Sequence, residues 1–444
     1  MSRPPATIDR GAVAALADER VDWRHKAVPP ALWGLTVAEV GRRRPRLSEL
    51  PTPLLTLSRR ALDRNGDLLA GWCAQRGLAL APHGKTTMAP QLWAEQVEAG
   101  AWGITVANQA QLAVARAFGV SRVMVANSLV SPLGLRWAAD QLADDPGAEI
   151  LVWADSVRTV ALMHAALAAY VSDVGARPAI RVLVERGGAG GRTGARDLDT
   201  CVAVARAVEE SPHLDLAGVA GYEGALAHDS DEQSMQTVRD YLRDLAEVHD
   251  RLASSGCYRD DLEPVVTAGG SAFFDVVAEV LGPLAGSGAE VVLRSGAYLA
   301  HDDGFYRHIS PLGAERYAGG AGLRSAMHGW VRVTSQPEPG LALFDGGKRD
   351  LPFDEGLPEV QLRRPRGPGE QPMPVRGVTV TALNDQHGFL SFDRSGEPPV
   401  RVGDELRLGL SHPCTAFDKW TLVPVVDDPD AADPTVVDLV RTWF

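Results

Sequence analysis

Between about residues 50 and 300 the chain alternates short apolar runs with longer stretches whose apolar positions recur every three or four residues. The runs fall at 54–57, 78–81, 103–106, 122–126, 149–154, 180–185, 216–221, 264–268 and 290–293. Helical patterns lie between them, among others at 109–118, 156–170, 197–210, 231–253 and 272–281. Strand, helix and strand at spacings of about 25 to 40 residues mark parallel βαβ units. The pattern therefore predicts an α/β fold with a (β/α)8 barrel of the TIM type, an open doubly wound sheet being the alternative. Nine runs are one more than a barrel takes, and the pattern alone does not say which is surplus.

After about residue 300 the texture changes to short β-rich runs at 330–333, 341–344, 377–381, 389–392 and 406–410. Turn formers such as Asp345-Gly346-Gly347 and Asn384-Asp385-Gln386-His387-Gly388 separate them, so a second, mostly antiparallel β-domain is expected. Residues 1–50 are irregular in pattern and read as an N-terminal extension. The barrel is placed at 51–310 and the β-domain at 311–444. The stretch Arg363-Arg364-Pro365-Arg366-Gly367-Pro368-Gly369 reads as a loop with solvated arginines.

Composition narrows the class. The 444 residues are too many for one average domain, and 45% hydrophobic with 23% charged residues is ordinary for a globular protein. A net charge of −13 argues against a nucleic-acid partner, because little here would displace counterions from phosphates. No run approaches the roughly 18 apolar residues that span a bilayer. Met1-Ser2-Arg3-Pro4-Pro5 lacks the apolar core of a signal peptide, so a cytoplasmic location is expected. The four cysteines, Cys73, Cys201, Cys257 and Cys414, lie far apart and read as free thiols or ligands.

In a βα barrel the functional groups emerge at the C-terminal ends of the strands. There the chain carries Lys85, Arg192 within a glycine-rich loop, Tyr222, the Gly269-Gly270-Ser271 turn and Arg294-Ser295-Gly296-Ala297-Tyr298. A lysine desolvated at the end of an apolar run can act as an imine-forming nucleophile. The Gly269-Gly270-Ser271 turn can offer backbone N–H groups to a phosphate, or serve only as a βα turn with a serine cap. His412-Pro413-Cys414 sets an imidazole and a thiol two residues apart. On a strand, positions i and i+2 share a face, so both could reach one borderline metal ion; a half-buried strand pair is the other reading. The loop at 187–194 lacks the spacing of a dinucleotide fingerprint.

Together these motifs resemble a pyridoxal-phosphate enzyme of the alanine-racemase barrel type (fold type III). Pro82-His83-Gly84-Lys85-Thr86 is similar to the cofactor-lysine motif of the D-serine dehydratase and D-threonine aldolase family. Arg192-Thr193-Gly194, Gly221-Tyr222-Glu223-Gly224, Gly269-Gly270-Ser271 and Arg294-Ser295-Gly296-Ala297-Tyr298 resemble its later barrel-end motifs in order. His412-Pro413-Cys414 resembles the His-x-Cys zinc pair of the D-serine dehydratases. The resemblance spans roughly residues 50 to 425. Thr86-Thr87-Met88 stands where Thr-His-Lys is common, and Ser295 where proline is usual.

What the resemblance implies is specific. Lys85 would hold pyridoxal 5'-phosphate, with His83, Arg192, Tyr222, Gly269, Gly270, Ser271, Gly296 and Tyr298 binding the cofactor. His412 and Cys414 would hold a divalent metal, zinc by donor type with manganese as an alternative. The run at 53–58 would join the β-domain, leaving eight barrel strands. The expected reaction is dehydration and deamination of a D-3-hydroxy amino acid, such as D-serine, to a 2-oxo acid and ammonia. Retro-aldol cleavage to glycine and an aldehyde is the alternative. A racemase would need a second acid/base group on the opposite face of the cofactor ring, for which no candidate stands out. A homodimer is implied by the family alone.

Overall fold

The computed structural model describes residues 3–175, 180–317, 319–364 and 371–444. The chain parts into two compact units. One comprises Met1–Arg10, Leu69–Lys85 and Trp93–Gly296; the other comprises Gly11–Leu68, Thr86–Leu92 and Ala297–Phe444. The division falls at 296/297 rather than at 310, and residues 1–50 are shared between the units instead of forming an extension.

Strand β1, Leu54–Ser58, belongs to the second unit. Strands β2 (Ala79–Leu80), β3 (Ile104–Val106), β4 (Arg122–Val125), β5 (Glu149–Ala154), β6 (Ile180–Arg186), β7 (Leu214–Gly221), β8 (Val265–Ala268) and β9 (Glu290–Leu293) build the first. They form one eight-stranded parallel sheet in the order β2-β9-β8-β7-β6-β5-β4-β3. Its two ends meet. Trp102 N–H donates to Leu80 O at 2.7 Å and Thr105 N–H to Pro82 O at 2.9 Å, so the sheet curls into a barrel. The inside is filled by Ala81, Met124, Leu151, Trp153, Leu183, Ala217 and Val265 among others. That filling explains why the barrel strands read as unbroken apolar runs: helices cover one face and packed side chains the other.

Several crossover helices begin where a side chain satisfies an otherwise orphaned N–H. Asn108, Ser156, Asp197 and Asp231 each accept from the backbone three residues on. Residues 3–9 close the N-terminal end of this unit. Ala6 N–H donates to Ala101 O at 3.0 Å, Asp9 N–H to Phe118 O at 2.9 Å, and Arg3 pairs with Glu290 at 3.4 Å.

The second unit is a ten-stranded sheet built on β10 (Met327–Glu338), β11 (Leu341–Phe344), β12 (Glu359–Arg364), β13 (Met373–Pro374), β14 (Val378–Leu383), β15 (Gly388–Phe392), β16 (Glu405–Gly409), β17 (Leu422–Val426) and β18 (Val436–Arg441), with β1 inserted. All pairings are antiparallel except that of β1 with β17. Val21, Val28, Leu32, Val37 and Val40 pack with Leu422 and Leu439, which makes the N-terminal residues part of this core. Arg363 and Arg364 lie on β12, not in a loop. Arg364 is 9% exposed and donates to Glu405 at 3.2 Å and Asp433 at 2.8 Å, while Arg363 pairs with Asp404 at 3.5 Å. The acidic start of β16 draws both arginines into the sheet. Residues 365–369 of that expected loop lie outside the described residues.

Candidate functional site

Barrel closure determines where Lys85 sits. Strand β2 ends at Leu80, His83 bridges to Thr105, and Gly84–Thr86 form one 3-10 turn beyond the strand end. A Cβ at Gly84 would stand 2.7 Å from Ile104 and 2.9 Å from the Trp93 indole, so only glycine lets the turn approach β3. Trp93 Nε1–H donates to Gly84 O at 3.2 Å and pins the turn from outside. Lys85 is half-buried.

Around that turn the first unit gathers charge. The His83 ring is held well below its ordinary pKa, by burial first and then by Lys85, Arg294 and Arg192. It is therefore neutral, and its enclosed Nδ1 has no hydrogen-bond partner. Arg294, 1% exposed, donates to Thr267 Oγ1 at 2.6 Å and Gly221 O at 2.5 Å and lies 4.9 Å over the Trp153 ring. Burial lowers its pKa, with Glu223, Tyr241 and Glu185 opposing. Arg192 is exposed and lies 5.0 Å over the ring of Tyr222. Tyr222 in turn donates its N–H to Tyr241 Oη at 2.9 Å, and that hydroxyl donates to Arg186 O at 2.6 Å. The ends of β6 and β7 are thereby tied together.

Two buried carboxyl groups complete this end of the barrel. Glu185 follows Leu183 by two places on β6 and so faces the same way, inward. It accepts from Thr193 Oγ1 at 2.7 Å, and burial pushes its pKa up to about 7. Asp155 accepts from Gly194 N–H at 3.2 Å, so the two acids hold the glycine-rich loop that carries Arg192. Glu223, fully buried, accepts from Gly269 N–H at 3.0 Å and Gly270 N–H at 2.6 Å.

That pair occupies two of the backbone donors of the Gly269-Gly270-Ser271 turn, which would be costly to bury without an acceptor. The helix begins only at Phe274. Gly269 is left-handed at φ +96, which glycine alone adopts freely. Ser271 is buried at 9%, and Ser295 Oγ donates to Gly270 O at 3.1 Å.

The second unit holds Tyr298, which is buried, together with His412 and Cys414. The expected strand geometry for the latter two is wrong. Strand β16 ends at Gly409, His412 is left-handed (φ 48, ψ 87), and Cys414 lies in the first turn of the short helix Pro413–Phe417. Proline at that helix's first position suits a helix start, its fixed φ being pre-set for the turn and its missing N–H no loss there. The heads still meet. Despite burial, the neighbouring Cys414 and Asp354 raise His412 to about 9. His412 Nδ1 lies 2.5 Å from Asp354 Oδ2, and Cys414 Sγ lies 3.5 Å from Thr86 Oγ1. His387 is exposed in the turn between β14 and β15. No group of three or more His, Cys, Asp or Glu side chains is poised for a metal among the described residues.

The sequence marks Glu223 only as part of the Gly221-Tyr222-Glu223-Gly224 motif, and it does not single out Glu185, Asp155 or Asp354. A lone acid at an inward position of an apolar run was the available signal for Glu185; nothing local marks Asp354.

Comparison with known proteins supplies the remaining findings. The family described as "Putative serine dehydratase domain" matches residues 326–426. A D-threonine aldolase of Arthrobacter sp is 28% identical over 385 residues, 86% of this chain and 90% of that protein. A 3-hydroxy-D-aspartate aldolase of Paracoccus denitrificans is 28% identical over 374 residues, 82% of this chain and 86% of that protein. Among solved structures, D-threonine aldolase from Filomicrobium marinum superposes with a TM-score of 0.72 at 24% identity, covering 90% of this chain and 97% of that one. A cysteine-to-alanine variant of D-threo-3-hydroxyaspartate dehydratase, in its metal-free form, gives 0.71 at 19% identity, covering 90% and 99%.

Proposed function

From a chain that belongs to the D-serine dehydratase and D-threonine aldolase-like family of fold type III pyridoxal-phosphate enzymes, we propose dehydration and deamination of a D-3-hydroxy amino acid to a 2-oxo acid and ammonia. The residues of the first unit suit pyridoxal 5'-phosphate: an amine at Lys85, a neutral imidazole with an unpartnered Nδ1, and two arginines around it. Bound there, the cofactor supplies an aldehyde for the amine and a ring that accepts electrons from Cα.

The chain's own residues do the rest. Lys85 would hold the cofactor through its aldehyde, and its free amine would be placed to take the Cα proton of the substrate. His83 stays neutral beside it and adds no positive charge to the lysine turn. Arg192, stacked on Tyr222, offers planar donors to an anionic oxygen, and the Glu185 and Asp155 anchors hold its loop. Gly296 is a buried position of the first unit that would be open to a cofactor contact.

The observation that carries the choice of reaction is the donor pair of the second unit. An imidazole beside a thiol suits zinc by donor type, and two protein ligands would leave positions open for water and substrate. Such an ion supplies Lewis acidity toward a β-hydroxyl, which is a poor leaving group by itself. Retro-aldol cleavage to glycine and an aldehyde is the second reading, favoured by the names of the two sequence relatives. Incubation with D-serine, D-threonine and D-threo-3-hydroxyaspartate separates them. The proposal expects 2-oxo acid with ammonia; glycine with aldehyde and no ammonia would reject it in favour of the aldolase.

A further inference from the structure

The conformation of His412 needs an explanation that packing alone does not give. A non-glycine residue in the left-handed region is strained and survives only where its surroundings over-determine it. Two carboxylates do so here. Asp302, 1% exposed, accepts His412 N–H at 3.0 Å on Oδ2, while its Oδ1 accepts Gly304 N–H at 3.1 Å and Tyr306 N–H at 2.8 Å. Asp302 thus holds the backbone. Asp354 holds the ring: its Oδ2 faces His412 Nδ1 at 2.5 Å and its Oδ1 accepts from Thr415 Oγ1 at 2.7 Å. Thr415 Oγ1, its one proton given to Asp354, also stands 3.3 Å from His412 O.

We propose that Asp354, steadied by Thr415, is the positioning residue that selects the metal-binding nitrogen of His412. The inference rests on the metal reading of His412 and Cys414 given above. A carboxylate only accepts, so the proton between the two groups sits on Nδ1 and the lone pair of the ring is left on Nε2. The ring plane is set by the same bond. Asp354 therefore acts on the metal through histidine, as a carboxylate–histidine pair does at metal centres generally. Neither Asp354 nor Thr415 belongs to the His-x-Cys motif, and 58 residues separate Asp354 from the histidine it orients.

The test measures metal affinity, not turnover alone. Purified holoenzyme is stripped and titrated with zinc against a chromophoric chelator, then with cobalt, whose thiolate charge-transfer and d–d bands report the ligand geometry. Asp354→Ala should weaken zinc binding about 10- to 100-fold and alter the cobalt spectrum. Asp354→Asn keeps an acceptor oxygen and should fall between. Thr415→Val, which only releases the carboxylate, should weaken binding a few-fold and decides the matter should Asp354→Ala fail to fold. Equal zinc affinity and unchanged cobalt bands in Asp354→Asn and Thr415→Val would overturn the inference. A wild-type chain whose stoichiometric cobalt spectrum does not change in Cys414→Ala would instead overturn the metal reading beneath it.

Discussion

Lys85 reaches the functional end of the barrel because Gly84 lets a tight turn pass against β3 and Trp93 holds its carbonyl. Lys85→Ala should therefore abolish the absorption of bound cofactor without unfolding the barrel, as read by visible absorbance beside circular dichroism; retained absorption would move the cofactor elsewhere. Glu185 offers a second residue-level test. Its native pKa, raised from 4.5 to about 7, means the folded state prefers the neutral acid. That preference stabilises fully below about pH 4.5 and is lost as the pH rises through 7. Glu185→Gln should accordingly flatten the pH dependence of stability across this window and leave the variant more stable than wild type at pH 8. Each pKa step is worth about 1.4 kcal/mol, so the gain is roughly 3 kcal/mol, measurable by denaturant titration at pH 5 and pH 8.

At the level of elements, the β8 end and the residues after β7 are coupled by one side chain. Removing Glu223 leaves two enclosed N–H groups without an acceptor, at about 1–3 kcal/mol each. Glu223→Ala should cost a few kcal/mol in unfolding and weaken cofactor binding together. Glu223→Gln, which can serve one amide but opposes the other with an NH2, should lie between. The N-terminal strap is a contrasting case. Residues 3–9 hold the N-terminal end of the barrel, opposite the strand ends that carry Lys85 and Arg294. Deleting residues 1–10 should lower the thermal midpoint by about 5 °C and leave cofactor absorption intact. Both elements show where reading by pattern works. The apolar periods located the barrel strands within about two residues, because burial on both faces is a property of composition. They missed the strap and the β12 arginines, because polar residues that find partners far along the chain carry no local period.

For the whole molecule, each unit has its own core, and each of the two donor sets lies within one of them. Chelation should therefore abolish turnover while the circular dichroism spectrum stays unchanged, and zinc should restore activity. Full activity after stripping would remove His412 and Cys414 from the reaction. No helix is long and apolar enough to cross a membrane among the described residues. The chain by itself determined the barrel, the β-rich second unit, the lysine turn and the order of the strand-end motifs, since each follows from local period or from a short contiguous string. Tertiary structure alone decided which carboxylates face which donors: Glu223 on the glycine turn, Glu185 and Asp155 on the arginine loop, Asp354 on His412. The physical reason is range. Apolar burial is written into every few residues, whereas a buried charge is satisfied by whichever partner the fold brings within about 3 Å, whatever its distance along the chain.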